Sequence, residues 1–108
     1  MAQKQSNQPV EVGGSEYETV AASQTAQVLG TAGAKGDFLA RLIIETVTAA
    51  TASVTLIDGT TSIVIQTAAA GLAVGPKVVE VGARAQTGPW KITTGAGATV
   101  IAVGQFSV

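Results

Sequence analysis

The chain has 108 residues, of which 46% are hydrophobic and only 12% are charged, and its formal net charge is −1. The length predicts one domain, and the near-neutral charge, with scattered Lys and Arg, argues against nucleic-acid binding. The sequence contains neither His nor Cys, which excludes disulfides, thiolate metal sites and the commonest general base.

The N-terminal segment differs in character from the rest of the chain. Residues 1–16 are polar, lack hydrophobic periodicity and contain Pro9 and the pair Gly13–Gly14. We predict an extended arm that packs on a neighbouring subunit or another protein. Residues 17–108 are predicted to form a single β-sandwich domain. The polar start is not typical of a secretory signal, and the apolar runs are too short to span a bilayer.

The segments before the middle of the chain favour strands separated by a glycine-rich loop. Residues 17–29 are predicted to form a strand, and residues 30–36 a loop. Residues 37–51 begin with helical spacing, but their Thr, Val and Ile content favours a strand. In that strand, alternation predicts one face made of Phe38, Ala40, Leu42 and Ile44. The opposite face would then contain Leu39, Arg41, Ile43 and Glu45.

A hairpin is predicted in the middle of the chain. Asp58 and Gly59 lie between two β-branched runs and tolerate the positive φ angles of a tight hairpin turn. In the first run, Val54 and Leu56 would face one side of the strand, and Ser53 and Thr55 the other. After a connection of small residues that ends at Pro76, "KVVEVGARA" alternates between inward-facing Val79, Val81 and Ala83 and outward-facing Val78, Glu80 and Arg84.

The chain closes with two strands around a glycine turn, the first starting at Trp90. Six to eight short strands, with turn signals every 8–12 residues, predict an all-β, antiparallel β-sandwich or jelly-roll-like fold. The candidate core residues are Val79, Val81, Trp90, Ile92, Val100 and Phe106.

The last strand, within "ATVIAVGQFSV", is apolar on both faces. Val100, Ala102 and Phe106 would face the core, which leaves Ile101 and Val103 on the other side. A two-layer sandwich covers only one face of a strand, and an exposed apolar face invites association. Ile101 and Val103 are therefore the candidate subunit interface.

No residue pattern points to catalysis. Without His, the many Ser and Thr residues have no evident activating base. The segment "GTAGAKGD" lacks the G-x-x-x-x-G-K-[ST] order of a phosphate-binding loop, and no calcium-binding loop is present. We expect no enzymatic activity, no cofactor and no metal.

Two segments resemble a family of small proteins encoded in the structural-gene modules of tailed bacteriophages. The family pattern is a Gln-rich lead, then Leu-Gly-x-x-Gly-x-x-Gly-Asp-aromatic-Leu, an Asp-Gly hairpin, and a Trp-containing strand before Val-Ile-Ala-Val-Gly-x-Phe. The matching positions are Leu29, Gly30, Gly33, Gly36, Asp37, Phe38, Leu39, Asp58, Gly59, Trp90, Val100 to Gly104 and Phe106. The resemblance covers residues 20–108.

The resemblance implies a virion structural protein, made in the bacterial cytoplasm and placed on the capsid surface. It would be a head decoration protein that binds the major capsid protein, with three copies favoured by the threefold symmetry of capsids. The alternatives are a tail, baseplate or head-fibre accessory protein and, third, a carbohydrate-binding β-sandwich. Neither nucleic acid nor membrane is expected as a partner.

Overall fold

The computed structural model describes residues 16–107 and shows an all-β sandwich of two four-stranded sheets. The predicted fold class is confirmed. Of the predicted arm, residues 1–15 lie outside the described residues, and Glu16 begins the first strand. The strands are β1 (Glu16–Val20), β2 (Gln27–Val28), β3 (Phe38–Thr46), β4 (Val54–Asp58), β5 (Thr61–Gln66), β6 (Gly75–Arg84), β7 (Trp90–Thr94) and β8 (Ala98–Gln105).

The first sheet has the strand order β1-β8-β3-β6, and the second sheet has the order β2-β7-β4-β5. Every pairing is antiparallel. Except for the β4–β5 hairpin, each consecutive strand moves to the other sheet. The predicted turn of that hairpin is present, because Asp58 pairs with Thr61 and Gly59 adopts a φ of +60°. The chain thus binds its two layers together through its loops.

The core lies between the two sheets and is built from alternate residues of the inner strands. Its largest fully buried side chains come from both layers and from the loop before β3. They are Val20, Leu29, Leu39, Leu42, Ile44, Val54, Leu56, Ile92 and Val100. This alternation leaves one outward-facing surface on each sheet.

The predicted strand at residues 37–51 is present over Phe38–Thr46 as β3, whereas Ala49–Thr51 form a short 3-10 helix. The predicted faces of the strand are wrong at its N-terminal end. Leu39 is fully buried beside Leu42 and Ile44, whereas Phe38 and Ala40 are half-buried. The reason is a register shift between Leu39 and Arg41 on both sides of β3. A β-bulge inserts an extra residue and reverses the alternation beyond it.

Residues 17–29 do not form the single strand that we predicted. They form β1 of the first sheet and β2 of the second sheet, joined by a turn in which Ser23 and Ala26 have positive φ angles. Thr94 holds this turn in place. Its hydroxyl donates to the carbonyl oxygen of Ala21 at 2.6 Å and accepts from the backbone N–H of Gln24 at 3.0 Å.

Candidate functional site: an apolar outer face on the first sheet

The outer surface of the first sheet carries two adjacent rows of side chains that cross its four strands. Strand register places one row as Thr19–Ile101–Ile43–Val78 and the next as Tyr17–Val103–Arg41–Glu80. We call these eight residues the outer face. The sequence-predicted interface residues, Ile101 and Val103, lie near its centre on β8, which is an interior strand of the sheet.

The apolar part of the outer face is only partly covered by the rest of the chain. A shallow cavity of about 350 Å³ is lined by Glu16, Tyr17, Ile43, Ile101 and Val103. Tyr17 is 71% exposed and Val78 is 56% exposed. Contiguous apolar side chains in this position on a soluble domain usually mark a contact surface.

One ion pair borders the apolar side chains. Arg41 Nε lies 3.2 Å from Glu80 Oε2, and the two side chains are 43% and 70% exposed. An exposed pair of this kind contributes little to folding stability. It does place one positive and one negative charge beside the isoleucines, so the outer face is amphipathic and locally balanced in charge.

The outer surface of the second sheet is different in composition. Strand register places Lys91 beside Ile57 and Ser62, and Thr93 beside Thr55 and Val64. Hydroxyl and ammonium groups occupy most of these positions and remain compatible with water. Of the two outward surfaces, the first sheet therefore offers the more apolar one.

Three buried or half-buried carboxylates are fully engaged in holding the fold. Asp37 accepts hydrogen bonds from the backbone N–H groups of Ala34 and Ser107, at 3.0 and 2.9 Å, and from the Ser107 hydroxyl at 2.6 Å. Glu18 accepts from the N–H of Gly30 at 2.7 Å and from Gln27 Nε2 at 2.8 Å.

Asp58 fixes the loop between β6 and β7 in the same way, at the same end of the sandwich as Asp37. Its carboxylate accepts from the backbone N–H groups of Gln86 and Thr87, each at 3.0 Å. The Thr87 hydroxyl also donates to the Asp58 carbonyl oxygen. Burial tends to raise the pKa of Asp58, but hydrogen bonds from Thr87, Gln86 and Gly88 outweigh it and hold the pKa below the ordinary 3.8. A carboxylate held this way stabilises a loop and is not poised for proton transfer.

The glycine-rich loop has a structural explanation as well. Gly30, Gly33 and Gly36 all adopt positive φ angles, which glycine reaches at no steric cost. The loop is closed by Asp37, and the Lys35 side chain is exposed. The Gly-x-x-Gly-x-x-Gly-Asp segment thus serves to join β2 to β3 within the sandwich.

A second, smaller cavity of about 220 Å³ opens where this loop meets the C-terminal end of the chain. Arg84 lies over the Phe38 ring, 5.6 Å from its centroid, and donates to the carbonyl oxygen of Gly36 at 3.2 Å. Asp37 also lines this cavity, but its oxygens already have backbone and hydroxyl donors. The Asp37 carboxylate and the Arg84 guanidinium of this cavity are thus engaged in contacts within the chain.

Trp90, the large aromatic residue of the predicted core, is 3% exposed. Among the other predicted core residues, Ile92, Val100 and Phe106 are also buried, whereas Val79 and Val81 pack against the core while remaining half-buried. These two valines lie on β6, the edge of the first sheet, where only one side has a neighbouring strand.

Sequence reasoning found part of the outer face and missed the rest. Alternation placed Val78 outward and assigned Ile43 to one of the two faces of its strand, but nothing in the sequence paired them with Ile101. The position of Tyr17 on this face could not be predicted, because it depends on β1 lying beside β8. Local alternation of polar and apolar residues does not determine which strands are neighbours. The signal that could have found the face is the shared outward position of two isoleucines on two apolar strands.

Within residues 16–107, no group of three or more acidic side chains is placed to hold a metal ion. In the same part of the chain, no helix has the length and apolar character needed to cross a membrane. Comparison with protein-family models, with curated proteins and with solved structures finds no match for this chain.

Proposed function

We propose that this protein is a non-enzymatic structural component of a tailed-phage virion, and specifically a head decoration protein that stabilises the shell of the major capsid protein. The observation that carries the proposal is the outer face of the first sheet. Its partly uncovered Ile43, Ile101 and Val103, with exposed Tyr17 and Val78 beside them, form a surface suited to contact with protein subunits.

The contacts of the acidic residues support a structural function. Asp37, Glu18 and Asp58 each accept hydrogen bonds from backbone N–H groups of a loop. A general acid or base needs a carboxyl group that is free to exchange a proton with substrate. The chain instead uses these groups to fix its loops, as expected of a rigid assembly module.

The virion assignment rests on the family resemblance of the ordered motifs from Leu29 to Phe106. A carbohydrate-binding sandwich is less well supported, because Trp90 is buried and donates its indole N–H to a backbone carbonyl oxygen at 2.9 Å. Stacking on sugar rings requires exposed aromatic faces. Tyr17 is the one aromatic residue among residues 16–107 that is exposed over most of its surface.

Attachment to the particle can be tested by co-sedimentation. Purified protein would be mixed with empty shells of the major capsid protein from the same phage or prophage and pelleted. We expect saturable binding and a higher melting temperature of the decorated shell. A variant that lacks residues 1–15 should fold and bind more weakly, because the predicted arm contributes contacts outside the sandwich. Protein that stays in the supernatant at saturating shell concentration would contradict the decoration proposal.

The copy number in purified virions separates the head from other positions. Quantitative mass spectrometry should give a copy number comparable with that of the major capsid protein. A far smaller number would place the protein in the tail, baseplate or head fibre, and its absence from virions would contradict the virion proposal altogether.

A further inference from the structure

We propose that the outer face of the first sheet binds a second copy of the same chain, with the two sheets stacked about a two-fold axis. The inference rests on the proposed function in one respect only, namely that this face is a protein contact surface. It names the partner and the symmetry. The expected trimer came from the resemblance to decoration proteins, whereas the two-fold pairing follows from the residues of the face.

The size of the face is compatible with a specific dimer. The four strands of the first sheet have five, eight, nine and ten residues. With strands about 4.8 Å apart and a rise of about 3.3 Å per residue, the whole outer surface of this sheet, which includes the outer face, measures roughly 500 Å² per copy. Two such surfaces bury about 1,000 Å² in total, which is the lower limit of biological interfaces. Association is therefore feasible when the whole outer surface of the sheet takes part, with an affinity at the modest end of the range.

The charges of the face are compatible with self-stacking. With the two-fold axis parallel to the strands, β8 of one copy lies over β3 of the other, and β1 lies over β6. No charged side chain then faces one of its own sign. The facing pairs are Ile101 with Ile43, Val103 with Arg41, Tyr17 with Glu80, and Thr99 with Glu45.

A two-fold axis perpendicular to the strands also places the isoleucines at the centre of the interface. With the axis across the strands at the row of Ile43 and Ile101, each isoleucine faces its own copy, and Arg41 faces Glu45. Both arrangements bury the four isoleucines at the middle, with Arg41 and Glu45 on either side of Ile43 along β3 and Glu80 on the edge strand β6. An apolar centre with charged groups around it is the usual anatomy of a protein–protein interface.

A second copy is favoured over a strongly charged partner because the face presents balanced charges. It carries the Arg41–Glu80 pair, with Glu45 in the next row. A strongly basic partner surface would be attracted by Glu80 and repelled by Arg41, and a strongly acidic one would meet the reverse. An identical face places no like charges opposite each other and supplies matching apolar area.

The first experiment measures the mass of the full-length protein by sedimentation equilibrium over a range of concentrations. We expect a reversible dimer. Ile101→Asp should weaken it by about 100-fold or more, because a carboxylate would be buried without a partner. Thr55→Asp introduces the same charge on the outer surface of the second sheet and should leave the dimer unchanged. Val78→Asp, at a 56% exposed position, provides a second disruptive variant, which the fold should tolerate because the new carboxylate remains in water in the single copy.

The second experiment uses the absence of cysteine in the sequence. The double variant Thr19→Cys/Val78→Cys, treated with a short bis-maleimide, should give covalent dimers on a denaturing gel under either two-fold arrangement. The single variants should give dimers only if the axis runs across the strands. The two cysteines of one chain are three strands apart, and a bridge within that chain adds no dimer band.

The outcomes separate this inference from the proposed function. A wild-type protein that is monomeric or trimeric at all concentrations would overturn the two-fold pairing, as would unchanged association of both Asp variants. If monomeric protein still binds capsid shells, and Ile101→Asp abolishes that binding, the virion function stands and the face contacts the capsid. If the dimer forms but no virion contains the protein, the pairing stands and the proposed function fails.

Discussion

The indole Nε1–H of Trp90 donates a hydrogen bond to the backbone carbonyl oxygen of Asp37, at 2.9 Å and across 53 positions of sequence. The same carbonyl oxygen accepts the N–H of Ala85 at 2.8 Å, while the Asp37 carboxylate holds Ser107 near the C-terminal end. The start of β3, the start of β7 and the end of the chain are thereby fixed at one end of the sandwich.

Replacement of Trp90 should show how much its burial and its hydrogen bond contribute to the free energy of unfolding. We expect Trp90→Ala to lower the free energy of unfolding by about 3–5 kcal/mol, since it empties a large buried aromatic site. Trp90→Phe retains most of the apolar volume and loses the hydrogen bond, so its cost should be smaller. Urea denaturation followed by circular dichroism measures both. A loss below about 1 kcal/mol for Trp90→Ala would mean that the side chain is not a core residue.

The Asp37–Ser107 contact should couple two distant parts of the chain. Asp37→Ala removes the acceptor of three hydrogen bonds, whereas Ser107→Ala removes one donor. In a double-mutant cycle by urea denaturation, we expect a coupling free energy of about 0.5–3 kcal/mol. Glu45→Ala, at an exposed position of β3, is the control for loss of a carboxylate. Additive effects at Asp37 and Ser107 would show that the contact is not formed.

The sequence predicted the fold class because the turn residues and β-branched runs act locally. Asp58 and Gly59 between two such runs specify a hairpin whatever the rest of the chain does. Alternation likewise placed Val54 and Leu56 on one face of their strand, which is the buried face in the structure, and Val78 outward. The bulge beside Leu39 was not predictable in this way, because it depends on how β3 pairs with two neighbours at once.

The candidate site was only half accessible to sequence reasoning for the same physical reason. Ile101 and Val103 stand out, since a strand with two apolar faces needs a second cover. That Ile43 lies directly beside Ile101, and Tyr17 beside Val103, is a consequence of strand order. Strand order is set by long-range packing and by loops that cross between sheets. Neither can be predicted from the local alternation of polar and apolar residues.

Asp58 should make the protein less stable in acid. Its pKa is lower in the folded chain than the ordinary 3.8, so the unfolded chain binds the proton more readily. The stabilisation is fully present above the unfolded pKa and is lost as the pH falls through the folded pKa.

Asp58→Asn should therefore lower the free energy of unfolding at neutral pH by about 1.5–3 kcal/mol, the usual worth of hydrogen bonds to a charged group. The difference between wild type and variant should shrink as the pH falls below 3.8. Denaturation at a series of pH values measures this difference. A difference that stays constant down to acid pH would show that ionisation of Asp58 does not stabilise the loop at Gln86 and Thr87.

Gly104, the single glycine of β8, should not tolerate a side chain. A Cβ added there would collide with the carbonyl oxygen of Phe38 and lie 3.0 Å from both Leu39 Cα and Phe106 Cε1. Two of these neighbours are backbone atoms of the bulged part of β3, which cannot move without disturbing the strand pairing. We expect Gly104→Ala to lower the free energy of unfolding by about 1–3 kcal/mol, as overpacking of a dense core does.

Gly71→Ala is the matched control, since a Cβ there meets nothing within 4 Å, and it should be neutral or slightly stabilising. Thermal and urea denaturation of the two variants compare them directly, and equal stabilities would contradict the close approach of β8 to β3 at this position.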